Sequence, residues 1–246
     1  TYIINTLKSC IDETEKNKTI IHIFNLRYIL DGKETNNLPI GLFGDFYAHE
    51  LSVFLLNSND QKNLQNIFEK NNLRVKKIIL KSYVDGVSLI DSHKNLDTFF
   101  KVEMSEKETK LIYFENRALK HVQNFKFGSS LLIKDISKII SFDSETVKNF
   151  LSKTTLNNEN LNEDLIEKEY FRDNVFRKIK KKLIFDIAEA RIKELAEIIL
   201  FRNTNLTSFI REKTPIFFLL KDTDILGCLL SSFSKQFSNG KKLNFH

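Results

Sequence analysis

Few side chains in this sequence are spaced for chemistry, and the best-spaced pair is Glu145 and Lys148. Three residues apart on a helix, they lie one turn from each other and could reach one ligand, although such a pair also arises on any solvated helix. The basic run Arg177-Lys178-Ile179-Lys180-Lys181-Lys182 is the densest charge cluster. It reads either as a solvated helix face or as a surface for an acidic peptide or anionic lipid. Asp85 and Asp91 lie near each other without a second pair to hold a metal. His22, His49, His93, His121 and His246 are dispersed, and none has another His three or four residues away. There is no Walker-type phosphate loop, no HExxH, no CxxC and no G-x-S-x-G elbow. These residues make no positive case for an enzyme: they supply no catalytic group and no metal site.

Composition narrows the classes further. The 246 residues suit one large domain or two modest ones. A hydrophobic share of 41% is enough for a packed core, and 28% charged residues favour solubility. No apolar run approaches the length of a membrane-spanning helix. The N-terminus has no signal-peptide layout and no initiator Met, so the chain is expected to begin part-way through a longer protein. Cys10 and Cys228 are too few and too far apart for a disulfide framework and fit a reducing cytoplasm. The net charge of +6 comes from 38 basic residues scattered among 32 acidic ones, and no nucleic-acid motif accompanies it, so nucleic acid is not an expected partner.

The elements that would position these residues come from periodicity. Ile3, Ile4, Leu7, Cys10 and Ile11 share one face of a helix over Tyr2 to Glu15. An apolar β-rich run follows to the turn pair Asp31-Gly32, and a second runs from Ala48 to Leu56. Asn57 to Asp60 offers N-caps for a helix carrying Leu64, Ile67 and Phe68 on one face. Val75 to Leu80 is expected to return as a strand. Phe99 to Phe114 reads as two short strands around a polar turn, Leu119 to Ile140 as a strand and a helix. Leu151 to Glu169 is polar and Asn-rich, a loop with a short helix. Leu183 to Leu200 is the best helix, with Ile184, Ile187, Ala188, Leu195, Ile198 and Ile199 on one face. Ile216 to Leu219 is a further strand, and the last residues hold a helix and a strand start.

Between residues 19 and 86 an ordered set of pieces resembles the FtsA family of bacterial cell-division proteins, which are actin relatives. Ile29-Leu30-Asp31-Gly32 is similar to that family's strand-end "I-D-G". Pro39-Ile40-Gly41-Leu42-Phe43-Gly44 is similar to its "P-x-G-x-x-G" loop. Val53 to Asn57 and Ser82 to Gly86 follow with matching gaps, as in the family's inserted 1C (SHS2-type) subdomain. The resemblance implies an α/β, actin-like (ribonuclease H-like) fold. It implies 1C with its leading helix over residues 1–82, a connector over 83–98, and actin-like subdomains 2A and 2B over 99–246. The first part of subdomain 1A and the C-terminal amphipathic membrane helix are expected to be absent.

The same resemblance implies an ATP site, with Mg as its companion ion, and implies that the site is degenerate. At the second phosphate loop the family's Asp is Glu103, its three glycines are Ser105, Glu106 and Lys107, and its two Thr are Glu108 and Thr109. Glycines serve there because a residue without Cβ lets backbone N–H groups close on phosphate oxygens. Gly128 keeps the first glycine of a later pair and Ser129 replaces the second. Glu145 and Lys148 hold the positions that contact ribose and adenine in the family. At the last glycine pair stand Leu220 and Lys221, and only Gly227 survives. The residual nucleotide set is therefore Ser105, Lys107, Thr109, Gly128, Glu145, Lys148 and Gly227.

The implied role is a cell-division adaptor at the inner face of the cytoplasmic membrane, tethering FtsZ filaments through their acidic-apolar tail. Arg177, Lys178 and Lys181, with Arg191 and Lys193 on the long helix, are the candidate tail surface; Arg191 matches a position of the family's "L-x-x-I-I-E-x-R-x-x-E-L". Arg27, Arg74, Lys76 and Lys77 on 1C are candidates for self-association or for a later division partner. A pilus-assembly adaptor sharing the 1C-like insertion, and an actin-like protein that still binds nucleotide, are the alternatives.

Overall fold

The computed structural model describes residues 2–35, 37–154, 164–171, 175–207, 209, 214–238 and 243–245. The chain divides into two compact units, Thr1–Asp97 with Tyr113–His121, and Thr98–Ile112 with Val122–His246.

The first unit opens with helix α1 (Tyr2–Thr14), followed by strands β1 (Lys18–Leu30), β2 (Lys33–Thr35) and β3 (Tyr47–Asn57) in the antiparallel order β2-β1-β3. Asp31 and Gly32 make the β1–β2 turn, with φ of 49° and 78°, the left-handed geometry that a two-residue hairpin needs. The Asp31 carboxylate also accepts the N–H groups of Asp45 and Phe46 at 2.9 and 2.8 Å, which ties the next loop to the turn. β1 carries register shifts between Ile20 and His22 and between Asn25 and Arg27. At the second shift the Lys120 ammonium donates to the carbonyls of Asn25 and Leu26, satisfying groups that the bulge frees from the ladder.

Helix α2 (Ser58–Glu69) is capped by Asn57, whose side chain accepts from Asn59 N–H at 2.9 Å. Its expected apolar face is not buried: Ile67 is 61% exposed, and Gln61 and Gln65 are the residues turned toward Thr19–Ile21. The expected strand over Val75 to Leu80 does not form. That segment is extended but not paired as a strand, and a cavity of about 170 Å³ lined by Thr19, Ile21, Val75 and Lys77 lies between it and β1. Its end is fixed by Leu80 N–H donating to His22 Nε2 at 3.2 Å. Helix α3 (Lys81–Ser92) follows, over part of the stretch expected to be a connector. Tyr83 on α3 lies against Phe24 and stacks on Phe114, and Gly86 is required because a Cβ there would stand 2.1 Å from the Phe114 ring.

The second unit is built on the sheet β6-β5-β4-β7-β8, from β4 (Phe99–Met104), β5 (Thr109–Glu115), β6 (Ala118–Phe125), β7 (Ile216–Leu220) and β8 (Leu243–Phe245). Part of β5 and of β6 is grouped with the first unit. β7 runs parallel to both β4 and β8. Every residue of β4 is buried, as expected of a central strand covered on both faces. Its two charged residues, Lys101 and Glu103, lie on one face and pair at 2.6 Å, which is how a strand interior tolerates them.

Around this sheet stand α4 (Ser130–Ile140), α5 (Ser144–Lys153), α6 (Lys181–Ala196), α7 (Thr223–Leu226) and α8 (Leu230–Ser238). α6 buries Ile184, Ala188, Ile192 and Leu195. It then widens into a π turn over Glu197–Phe201, which turns Ile199 and Leu200 inward and leaves Ile198 43% exposed, against its expected place on the core face. Of the loop expected over Leu151 to Glu169, the first three residues instead end α5, residues 155–163 lie outside the described residues, and a 3₁₀ turn follows at Lys168–Phe171. The helix and strand expected at the end are α8 and β8.

Candidate functional site

The polar turn between β4 and β5 is closed by Ser105, whose N–H donates to the Glu108 carbonyl at 2.9 Å. Across from it begins α4. Ser129 N–H donates to Ser105 O and Ser130 N–H to Glu106 O, both at 2.9 Å. N–H groups at a helix start are the usual donors for a bound anion, and here carbonyls of the chain itself take them. Gly128 permits this approach: a Cβ at that position would stand 1.9 Å from Ser105 O.

Charged side chains complete the closure. The Glu106 carboxylate pairs with Lys148 Nζ at 2.9 Å, and this bond holds the Glu106 carboxyl below its ordinary range and the Lys148 ammonium above its own. Lys148 reaches the turn from α5, whose start is fixed by Asp143 accepting from Thr146 N–H at 2.9 Å. Glu145 is exposed on the same helix and acts on Lys148 through its charge. Asp222 closes the other side, accepting a hydrogen bond from the Ser129 hydroxyl.

The structure thus brings Ser105, Gly128 and Lys148 together. Thr109 is buried, and its hydroxyl donates to Phe127 O at 2.9 Å. Lys107 is exposed, and Gly227 has nothing within 4 Å of an added Cβ. Lys221 extends the strand by donating its N–H to Met104 O at 2.9 Å. The pairing of Glu106 with Lys148, 42 residues apart, had no signal in the sequence.

The basic candidates differ in their partners. Arg177 donates to the Ile140 carbonyl at the end of α4, and Lys181 pairs with Glu167 at 2.5 Å. Lys178 is exposed. Arg191 is held between two carboxylates, Asp135 of α4 and Glu194 one turn along α6, the latter at 2.5 Å. Lys193 lies two residues on, and positions two apart on a helix do not face each other. Arg191 lines a groove between α4 and α6, whereas Lys193 lines a smaller one with Phe201 and Gln236. In the first unit Arg27 pairs with Glu50 at 2.5 Å, and Arg74, Lys76 and Lys77 are exposed.

The α4–α6 groove was not visible in the sequence. It has a volume of about 550 Å³, an apolar floor of Ile139, Ile187 and Ala190, and a rim of Asp135, Lys138, Asp186, Arg191 and Glu194. Among the described residues no group of three His, Cys, Asp or Glu could hold a metal, and no helix is long and apolar enough to cross a membrane.

No family model matches the chain. It is 24% identical over 177 residues to the cell division protein FtsA of Neisseria meningitidis, covering 70% of this chain and 42% of that protein. It is 24% identical over 192 residues to FtsA of Agrobacterium fabrum, covering 75% of this chain and 43% of that protein. The matched stretch spans less than half the length of these relatives. Among solved structures, the PilM–PilN type IV pilus biogenesis complex superposes with a TM-score of 0.56 at 9% identity, over 100% of this chain and 62% of that one, a likeness of fold alone. The chain is thus similar in sequence to FtsA over 70–75% of its length, and its α/β architecture is like that of the PilM complex.

Proposed function

We propose that this chain is a cell-division adaptor that binds the acidic-apolar tail of FtsZ at the inner face of the cytoplasmic membrane and recruits later division proteins, without turning over ATP. The observation that carries the reading is the similarity to FtsA over 70–75% of the chain. Loss of the nucleotide is supported by the filled turn. ATP with Mg needs free N–H donors and room beside glycines; here those donors bond Ser105 O and Glu106 O, and Glu106 adds negative charge where phosphates would sit. The residues present do not fit the group.

The tail surface we favour is the segment 175–182 rather than Arg191. Lys178, Lys180 and Lys182 are exposed and form no ion pair among the described residues, and Val175 beside them is 84% exposed. An acidic-apolar peptide meets both partners it needs there. The test is binding of a labelled FtsZ tail peptide to the full chain, with Lys178→Glu/Lys180→Glu as control. Saturable binding abolished by the reversal supports the reading, and no binding to folded chain overturns it. A pilus-assembly adaptor is the second reading, favoured by the fold likeness to the PilM complex; such a protein takes a peptide from a membrane partner and ignores the FtsZ tail.

A further inference from the structure

The α4–α6 groove and the segment 175–182 are complementary to each other. The groove floor is aliphatic, with Ile139 57% exposed, and Ala190 leaves room for an entering side chain. Its rim carries three carboxylates against two cations, and Arg191 is already occupied by Asp135 and Glu194. Asp186 forms no ion pair among the described residues. The rim therefore presents net negative charge around an apolar floor, suited to an apolar residue flanked by cations. Segment 175–182 has that composition: exposed Val175, then Lys178, Lys180 and Lys182.

The two surfaces adjoin. Arg177 bonds the carbonyl of Ile140, one residue beyond the groove residue Ile139, so donor segment and groove share one side of the second unit. A patch that carries both halves of a contact can pair with itself about a two-fold axis, each segment entering the other copy's groove, and such an interface closes as a dimer. We propose that a second copy of this chain occupies the α4–α6 groove through its segment 175–182. Val175 supplies the apolar anchor to Ile139 and Ile187, and the lysines meet Asp186 and the Glu194 side of the rim. The dimer does not depend on the FtsZ reading. Because the same segment is the favoured tail surface, the tail peptide and the second copy are expected to compete.

The test is analytical ultracentrifugation of the full chain over a wide concentration range, with circular dichroism to confirm that each variant is folded. Wild-type chain is expected to show a monomer–dimer equilibrium. Val175→Asp and Asp186→Lys are each expected to raise the dimer dissociation constant by about tenfold or more. Lys178→Glu/Lys180→Glu should do the same, and combining it with Asp186→Lys should restore dimers by exchanging the charges. A chain that stays monomeric throughout, dimers untouched by Val175→Asp and Asp186→Lys, or failure of the combined variant to recover would each overturn the proposal. Asp186→Lys lies outside the tail surface, so it separates the two ideas: it should lose dimers and keep peptide binding.

Discussion

Glu106 and Lys148 stand 2.9 Å apart, joining the turn after β4 to the helix α5. The pair is partly exposed, so its importance lies in what it covers: the start of α4, whose N–H groups are spent on Ser105 and Glu106. ATP added to wild-type chain is expected to give no saturable heat in calorimetry, with or without Mg. Glu106→Gly should not create binding, because the carbonyl contacts and the Gly128 approach remain. Tight ATP binding by either protein would sink this account of the site.

The pair also fixes a pH signature. The folded state holds the Glu106 carboxyl below its ordinary 4.5 and the Lys148 ammonium above its ordinary 10.5. A depressed carboxyl contributes stability that is present above the unfolded value and is lost as pH falls through the folded one. A raised ammonium contributes stability present below its unfolded value and lost as pH rises through the folded one. The difference in melting temperature between wild type and Glu106→Gln should therefore be flat between these limits and shrink on both sides. A difference that grows in acid would contradict the pairing.

Three glycines separate packing from inheritance. Gly86→Ala would press a Cβ to 2.1 Å from the Phe114 ring, and Gly128→Ala to 1.9 Å from a backbone carbonyl. Each is expected to cost about 1–3 kcal/mol in urea unfolding. Gly227 is in ordinary helical geometry with nothing within 4 Å, so Gly227→Ala should fall within about 0.5 kcal/mol of wild type. Equal losses at all three would mean that Gly227 also makes a close approach.

Much of this architecture could be read from the residues. Apolar β-rich runs, the Asp31-Gly32 turn and the N-caps from Asn57 located β1, β3 and α2, and the apolar face of α6 was evident. What could not be read is pairing at long range. The extended 75–80 segment has strand composition, yet a cavity separates it from β1 and it joins no ladder. Apolar spacing on α2 predicted a buried face, but the glutamines are the side turned toward β1. At the site, the residues of the turn could be named one by one. That Glu106 and Lys148 close it needed positions 42 residues apart to meet.

Arg191 illustrates the same gap between motif and role. Its motif position suggested a partner contact, but its guanidinium ties α6 to α4 through Asp135 and also pairs with Glu194 on its own helix. Arg191→Glu would place three carboxylates together, and removing one partner of a charged hydrogen-bonded set costs about 2 kcal/mol or more. Chemical denaturation should show that loss, while Arg191→Met should lose less. If Arg191→Glu were as stable as wild type and failed only in peptide binding, the residue would be a contact after all.

The two cysteines give a last check on the packing of the second unit. Cys10 is exposed on α1, whereas burial pushes the Cys228 thiol up to about 11. Only the thiolate reacts, so at pH 8 a thiol of that pKa is about 100-fold less populated in its reactive form than an ordinary one. Limited access to a partly buried sulfur slows it further. Mass spectrometry after brief iodoacetamide treatment should find one label, on Cys10, and a second only in denaturant. Comparable labelling of Cys228 in native chain would mean that the region after α7 opens readily, and that Asp222, just before it, cannot hold Ser129 as described.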